Sequence, residues 1–263
     1  MVEIPERASV PSTTTRVEAM GGLAKGLRII ESFDETHPKH TVSTAAKAAG
    51  ITPAAALRCL LTMRELGYLS HDGKFFRPTP RMGRLVRSYS DTTPLPVLAQ
   101  PYLQAVRDEV GESATLSVLD GDQVTFVGRV DSDRIVTMNV RLGAHLPLYA
   151  SATGRVLLAA LPDEEIDRQL SGRVVERTTP RTVTDIAEIR ARILSAREAG
   201  FALTDEELEL GVRSAAVPVV DAIGRTHAAF SLAVAAGRTS LDELRRRHVP
   251  VLQREAARLG QSL

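Results

Sequence analysis

Apolar residues recur at every third or fourth position in the first third of the chain and at every second position through much of the middle, and that change of period divides the sequence. Leu23, Leu27, Ile30 and Phe33 predict one helix, which His37-Pro38 breaks. Ser43 is placed to cap a short helix over Thr44–Ala49, because its hydroxyl can accept one of the free N–H groups of the first turn, and Gly50 ends that helix. Ile51 turns inward. Thr52-Pro53 then starts a second helix, with a capping hydroxyl followed by a proline where a missing N–H costs nothing. From Pro53 to Leu66, Ala56, Cys59, Leu60, Met63 and Leu66 form the stripe expected to be buried; Thr52, Ala54, Ala55 and Arg58 lie off it.

Two helices joined this tightly have the spacing of a helix-turn-helix. Small residues at the start of the second helix let its backbone approach base edges in a major groove, and Arg58 can reach a phosphate or a guanine. An ordinary helical hairpin with a solvated arginine shows the same pattern, so the segment that follows matters. Tyr68 to Arg77 reads as two short strands around Asp72-Gly73, the dipeptide of a tight hairpin. From Gly73 to Arg87 there are five cations (Lys74, Arg77, Arg81, Arg84, Arg87) and no acid, interleaved with Phe75 and Phe76. A basic hairpin directly after a helix-turn-helix is the layout of a winged DNA-binding module. The candidate contacts are Ser43, Thr52, Ala54, Ala55 and Arg58 on the helices, with Lys74 and Arg77 on the wing. The expected partner is double-stranded promoter DNA.

Ser88 to Pro94 reads as a polar break. A connecting helix follows over Leu95–Val110, with Leu95, Leu98, Tyr102, Leu103, Val106 and Val110 on one stripe. That stripe suits a partner chain or burial against its own domain equally well. Alternation then predicts a hairpin over Ala114–Leu119 and Val124–Val127, a third strand over Ile135–Val140, and strands at Phe201–Thr204, Val212–Val220 and Arg225–Val234. Helices are predicted from Arg155 to Ala160, opened by Ser151–Gly154, and over Asp163–Leu170, Ile186–Ala199 and Leu241–Leu259. Several antiparallel hairpins with interspersed helices make an α+β domain around one antiparallel sheet.

At 263 residues, 43% of them hydrophobic, the chain can build two cores. Its net charge of +1 hides an asymmetry. Residues 1–92 hold 13 Lys/Arg against 9 Asp/Glu (+4), and residues 93–263 hold 20 against 23 (−3). The basic part suits an anionic polymer and the rest something else. One cysteine, Cys59, excludes a disulfide framework and a cysteine-rich metal site, and it falls on the buried stripe. No apolar run approaches a membrane span and the first 20 residues lack a signal-peptide core, so a cytoplasmic protein with no membrane partner is expected. Residues 1–21 read as a disordered leader, 22–88 as the winged helix-turn-helix, 89–112 as a linker helix and 113–263 as the second domain.

Three segments carry a resemblance to a known family. They are Gly67-Tyr68-Leu69, the run Leu146–Ala159 (LPLYASATGRVLLA), and the run Gly200–Val219 (GFALTDEELELGVRSAAVPV). In this order they resemble the IclR family of bacterial transcriptional regulators along about residues 22–260. The resemblance implies an N-terminal winged helix-turn-helix, a linker helix and a C-terminal GAF-like domain that binds a small organic acid. It also implies homodimers, often paired into tetramers; no catalytic residue and no cofactor are expected. Arg134–Val140 followed by Leu142–Pro147 looks most similar to the subgroup that controls protocatechuate and β-ketoadipate breakdown. Ser231 is followed by Leu232-Ala233, where a second serine is common in the family.

The family's effector contacts carry over onto Ala152, Thr153, Thr204, Ser214 and Ser231, with Ser151 and Asp205 beside them. The chemistry agrees, since free N–H groups at a helix start, backed by the helix dipole, hold a carboxylate without a buried lysine. Plain helix capping explains Ser151 or Thr153 taken alone. Asp205-Glu206-Glu207-Leu208-Glu209 invites an enzymatic or metal reading. Hard cations need six or more oxygens and zinc needs His or Cys at matched spacing, neither of which surrounds the run, so a loop-fixing role is expected. His145 and His227 are isolated, and Arg245-Arg246-Arg247 suits a solvated helix face. The competing function is a GAF-like sensor or enzyme whose basic N-terminal domain binds RNA or a protein. A GAF-type redox enzyme would need cysteines in residues 113–263, which has none.

Overall fold

The computed structural model describes residues 20–34, 36–92, 94–132 and 142–263. Most of the expected leader and the expected strand Ile135–Val140 lie outside the described residues. The chain divides into two compact units, Met1–Asp91 and Thr92–Leu263.

The first unit packs α1 (Gly21–Glu31), α2 (Val42–Ala48) and α3 (Pro53–Glu65) against a hairpin of β1 (Leu69–His71) and β2 (Phe76–Pro78). Its core joins Ile29, Ala45, Ala46, Ala56, Leu60, Met63, Leu69 and Phe76. The cap of α2 is Thr41 and not Ser43: Thr41 Oγ1 accepts from Thr44 N, while Thr44 Oγ1 accepts from Thr41 N at 2.8 Å, a reciprocal capping box. Ser43 sits exposed in the first turn. Gly50 ends the helix at φ +61°, in the left-handed region that glycine adopts without strain. Thr52 caps α3 and Pro53 opens it, as expected.

The expected stripe of α3 needs correcting at three positions. Ala55 is buried beside Ala56, Leu66 is exposed, and Cys59 is only partly buried. Leu23 and Leu27 of α1 are exposed as well, and Ile29 is the buried residue of that helix. After the hairpin, a 3-10 turn (Pro80–Met82) leads into α4 (Gly83–Thr92). That helix runs through most of the segment expected to be a polar break.

In the second unit α5 (Leu95–Val110) is followed by β3 (Ala114–Asp120), β4 (Gln123–Val130), β5 (His145–Pro147), α6 (Ala152–Ala159), α7 (Asp163–Leu170), α8 (Ile186–Ala199), β6 (Ala202–Asp205), β7 (Val212–Val220) and β8 (Thr226–Ala235). Among the described residues the strands form one six-stranded sheet in the order β5-β4-β3-β8-β7-β6, every neighbouring pair antiparallel. One face is covered by α5, through Ala99, Leu103 and Val106, and by α10 (Val249–Gly260). Burial within its own domain therefore accounts for the α5 stripe, although Leu98 stays exposed. The other face carries α6, α7 and α8. The final helix is interrupted: the turn α9 (Leu241–Glu243) passes through a π-helical segment, Leu244–His248, before α10 begins. Pro250 near the start of α10 has no N–H to continue an α-helical ladder.

Candidate DNA-contact surface and effector pocket

In the first unit the hydroxyl of Thr52 is committed to its cap, accepting from Ala55 N at 3.3 Å. Ala54, Leu57 and Arg58 are exposed on α3, so the available face includes Leu57, which the spacing argument left unassigned. Ala55 points into the core and offers no side chain to a base.

The wing is built differently from a two-residue turn. Leu69, Ser70 and His71 pair with Pro78, Arg77 and Phe76, leaving the four residues Asp72–Phe75 as the loop. Asp72 organises it: Oδ1 accepts from Phe75 N at 2.7 Å and from Lys74 N at 3.0 Å. Those two N–H groups, with Arg77 beyond them, hold the Asp72 carboxyl below the usual carboxylate range. Gly73 takes φ +96°. Lys74 and Arg77 stand exposed on either side.

In the second unit, side-chain alternation and strand register place Thr115, Thr204, Ser214 and Ser231 on one face. Ala202 and Ala216 pack under α6, Thr204 and Ser214 follow and precede them by two positions, and Ser231 is the register partner of both Ala216 and Thr115. Ser117, the register partner of Ala229, shares this face and makes five hydroxyls on the α6 side of the sheet, and the other four bond to one another. They form two pairs: Thr204 Oγ1 to Ser214 Oγ at 2.5 Å, and Thr115 Oγ1 to Ser231 Oγ at 2.7 Å. Thr115 Oγ1 also lies 3.1 Å from the Ser231 carbonyl, to which it can donate, an arrangement in which the Ser231 hydroxyl supplies the proton of the shared bond and keeps acceptor lone pairs. Thr115 went unassigned in the sequence. Its signal is a hydroxyl residue alternating with apolar ones, as Thr115 and Ser117 do along β3.

Over this face lies the start of α6. Ser151 caps it, accepting from Gly154 N at 3.0 Å and donating to the Pro147 carbonyl at 2.9 Å. Its hydroxyl is committed to holding the helix start, which favours capping over ligand contact for that residue. The N–H groups of Ala152 and Thr153 have no partner among the described residues, and both residues are buried. Gly154 is required by close packing: a Cβ there would lie 2.1 Å from the Leu148 carbonyl oxygen.

The acidic run is a brace. Glu207, almost fully buried, accepts from both terminal nitrogens of the equally buried Arg155 at 2.9 and 2.5 Å, and from Arg192 at 2.9 Å. Arg155 Nε donates to the Tyr149 carbonyl at 3.2 Å, so the pair ties the helix start to the β6–β7 loop. Thr179 Oγ1 donates to the Glu206 carbonyl at 2.7 Å and Thr182 Oγ1 to that of Glu207 at 2.6 Å. These bonds hold Glu206 at φ +58°, a left-handed conformation costly for a residue with a side chain. Asp205 is taken up by Arg213 and Arg181, each at 2.6 Å. Arg155 and the threonines were not singled out in the sequence, because their partners lie 25 to 52 residues away. Among the described residues no cluster of three His, Cys, Asp or Glu is placed to hold a metal.

Comparison with known proteins agrees with this division of labour. Residues 22–73 match the IclR helix-turn-helix domain, and residues 87–260 match the C-terminal domain of the bacterial transcriptional regulator IclR. The chain belongs to the IclR family of bacterial transcriptional regulators. It is a DNA-binding regulator with an effector domain, in a family of regulators and not of enzymes. The Pca regulon regulatory protein of Pseudomonas putida is 34% identical over 92% of this chain and 86% of its own. The crystal structure of a transcriptional regulator from Rhodococcus sp. RHA1 is 41% identical and superposes with a TM-score of 0.81 over 92% of this chain and 97% of its own. An IclR homologue of Microbacterium hydrocarbonoxydans complexed with 4-hydroxybenzoate is 26% identical, with a TM-score of 0.80 over 92% of this chain and 98% of its own. No helix among the described residues is long and apolar enough to cross a membrane.

Proposed function

We propose that this regulator senses a small acid of aromatic-acid catabolism, such as protocatechuate, 4-hydroxybenzoate or β-ketoadipate, and controls genes of that breakdown, working in the cytoplasm as a homodimer. The observation that carries the reading is the pair of buried N–H groups of Ala152 and Thr153 at the start of α6, which have no partner among the described residues. Buried N–H groups are costly to leave unpaired, and at a helix start they favour a negative charge. A carboxylate answers both demands. The lone pairs of Ser231 and the spare proton of the Thr204–Ser214 pair then suit a ring hydroxyl. The names of the relatives support the class of acid: one regulates a pca regulon and another was crystallised with 4-hydroxybenzoate.

On the DNA side, Ala54 and Arg58 are assigned to the major groove, while Thr52 fixes the helix that carries them. Lys74 and Arg77 are assigned to phosphates. One module covers only a few base pairs, so a repeated or pseudo-palindromic site is read by two chains.

The test is calorimetric titration of protocatechuate, 4-hydroxybenzoate and β-ketoadipate into the full chain and into Ser231→Val. One of the acids binds the parent. The variant loses ten- to a hundredfold in affinity, about 1–3 kcal/mol for a buried ligand group left without its hydrogen bond. The Thr115 hydroxyl keeps its bond to the backbone, so the loss reports the ligand. Equal affinity in parent and variant overturns the assignment of the pocket, and absence of binding by all three acids overturns the class.

A further inference from the structure

The segment between α1 and α2 is joined to the wing. His40 N donates to the Phe76 carbonyl at 3.0 Å and Phe76 N donates to the His40 carbonyl at 2.7 Å, so His40 behaves as one residue of a third strand beside β2. Side chains alternate along extended backbone. His40 and Phe76 point inward and are buried, which sends their neighbours Lys39, Phe75 and Arg77 to the outer side. Lys74 joins them from the loop. The result is a ring with three cations around it: Lys39 Nζ at 4.3 Å from the Phe75 centroid, Lys74 Nζ at 5.2 Å and the Arg77 guanidinium at 6.0 Å.

An aromatic face attracts a cation without neutralising it, so three charges gathered on one ring stay available to an anion. Asp72 is the acid in the loop, and its carboxylate is held by two backbone N–H groups and lies 3.5 Å from Arg77. With Lys39, Lys74 and Arg77 against the one Asp72 carboxylate, the cluster keeps a net positive charge. Among the described residues neither Lys39 nor Lys74 has a carboxylate partner. A preorganised group of cations on the same unit as a DNA-reading helix suits the phosphates of a duplex.

We propose that Lys39, Lys74 and Arg77 form one phosphate-binding cluster for the DNA backbone, seated on Phe75, in which Lys39 supplies a contact from outside the wing. The proposal rests on the DNA-binding role of this unit and extends its contact surface to the α1–α2 segment.

The experiment measures binding of the full chain to a duplex of arbitrary sequence as a function of salt, for the parent, Lys39→Gln, Lys74→Gln and Phe75→Leu. Lys39→Gln lowers the log–log salt slope by about one unit, as Lys74→Gln does, with the melting temperature unchanged because both residues are exposed. Phe75→Leu keeps the charges and weakens binding by ~2- to 5-fold, the equivalent of about 0.5–1 kcal/mol of lost cation–ring attraction. An unchanged slope in Lys39→Gln alongside a reduced one in Lys74→Gln overturns the proposal while leaving the wing in contact with DNA. Absence of parent binding at low salt overturns both.

Discussion

The two units use polar groups in opposite ways. In the DNA-binding unit the groups assigned to the partner, Arg58, Lys74 and Arg77, are exposed side chains on a small apolar core, positioned by a cap, an aspartate-centred loop and a phenylalanine ring. In the effector unit the groups around the candidate pocket are buried or half-buried and satisfy one another first: Thr115 with Ser231, Thr204 with Ser214, Arg155 with Glu207. Surface recognition of a polyanion needs cations that remain free. Recognition of a small acid in a closed pocket needs polar groups that are already oriented, because each unpaired buried group is expensive. The same substitution chemistry should therefore act on affinity in one unit and on stability in the other.

The largest effect separates the units most clearly. Glu207→Ala leaves the buried Arg155 guanidinium without its bidentate partner and should cost roughly 3–5 kcal/mol, read as a fall in the urea midpoint of the effector unit. Arg58→Ala, on an exposed helix face, should leave stability within about 0.5 kcal/mol while weakening DNA binding. If the two variants lose similar stability, the contrast between braced and free charges fails. The double variant Arg155→Met with Glu207→Met sharpens it: removing both charges together should recover most of the loss.

A smaller effect is expected at Gly154. An added Cβ meets the Leu148 carbonyl oxygen, so Gly154→Ala must displace the β5–α6 connection, at a cost of about 1–3 kcal/mol as for other overpacked sites. Thermal unfolding measures it, and acid binding should weaken in parallel because the Ala152 and Thr153 N–H groups move with that turn. Unaltered stability would show that the connection is loose.

The smallest effect is on pH. Burial pushes the Glu112 carboxyl above its ordinary value, against the opposing influence of Arg238 and His248. A raised folded-state value means that the native form binds the proton more tightly. The stabilisation is full below the unfolded value and is lost as pH rises through the folded one. Glu112→Gln should therefore gain on the parent as pH rises through that window, measured as the difference in urea midpoint. Asp72 in the wing is shifted the other way, so its contribution is present above its unfolded value and lost as pH falls through the folded one. A Glu112→Gln difference that does not vary with pH would contradict the burial argument.

The same contrast governs what the sequence disclosed. Thr52-Pro53, the Asp72-Gly73 hairpin and the cationic run are local signals, and the structure shows the elements they announced. Thr41 and Ser43 both carry capping hydroxyls, and only the chain's path, with Thr44 closing the capping box, selects Thr41. Helix α4 was hidden because Ser88, Ser90 and Thr92 are weak helix formers that also favour turns. Ala55 and Leu66 exchanged their expected places because a stripe read at fixed spacing does not reveal which neighbour covers it. The brace of Glu207 joins residues 15 to 52 positions apart on three different elements, and no local pattern encodes such a meeting. Ser151 to Gly154 was legible as a helix start, whereas the steric need for Gly154 appears only with the Leu148 carbonyl in place.

Amide NMR on the full chain tests, at the atoms concerned, whether a carboxylate rests on the first turn of α6. Adding 4-hydroxybenzoate or protocatechuate should move the Ala152 and Thr153 amide protons downfield, as expected for N–H groups gaining a charged acceptor, more than other amides of the effector unit. Saturable binding that leaves those two amides unmoved would contradict the account.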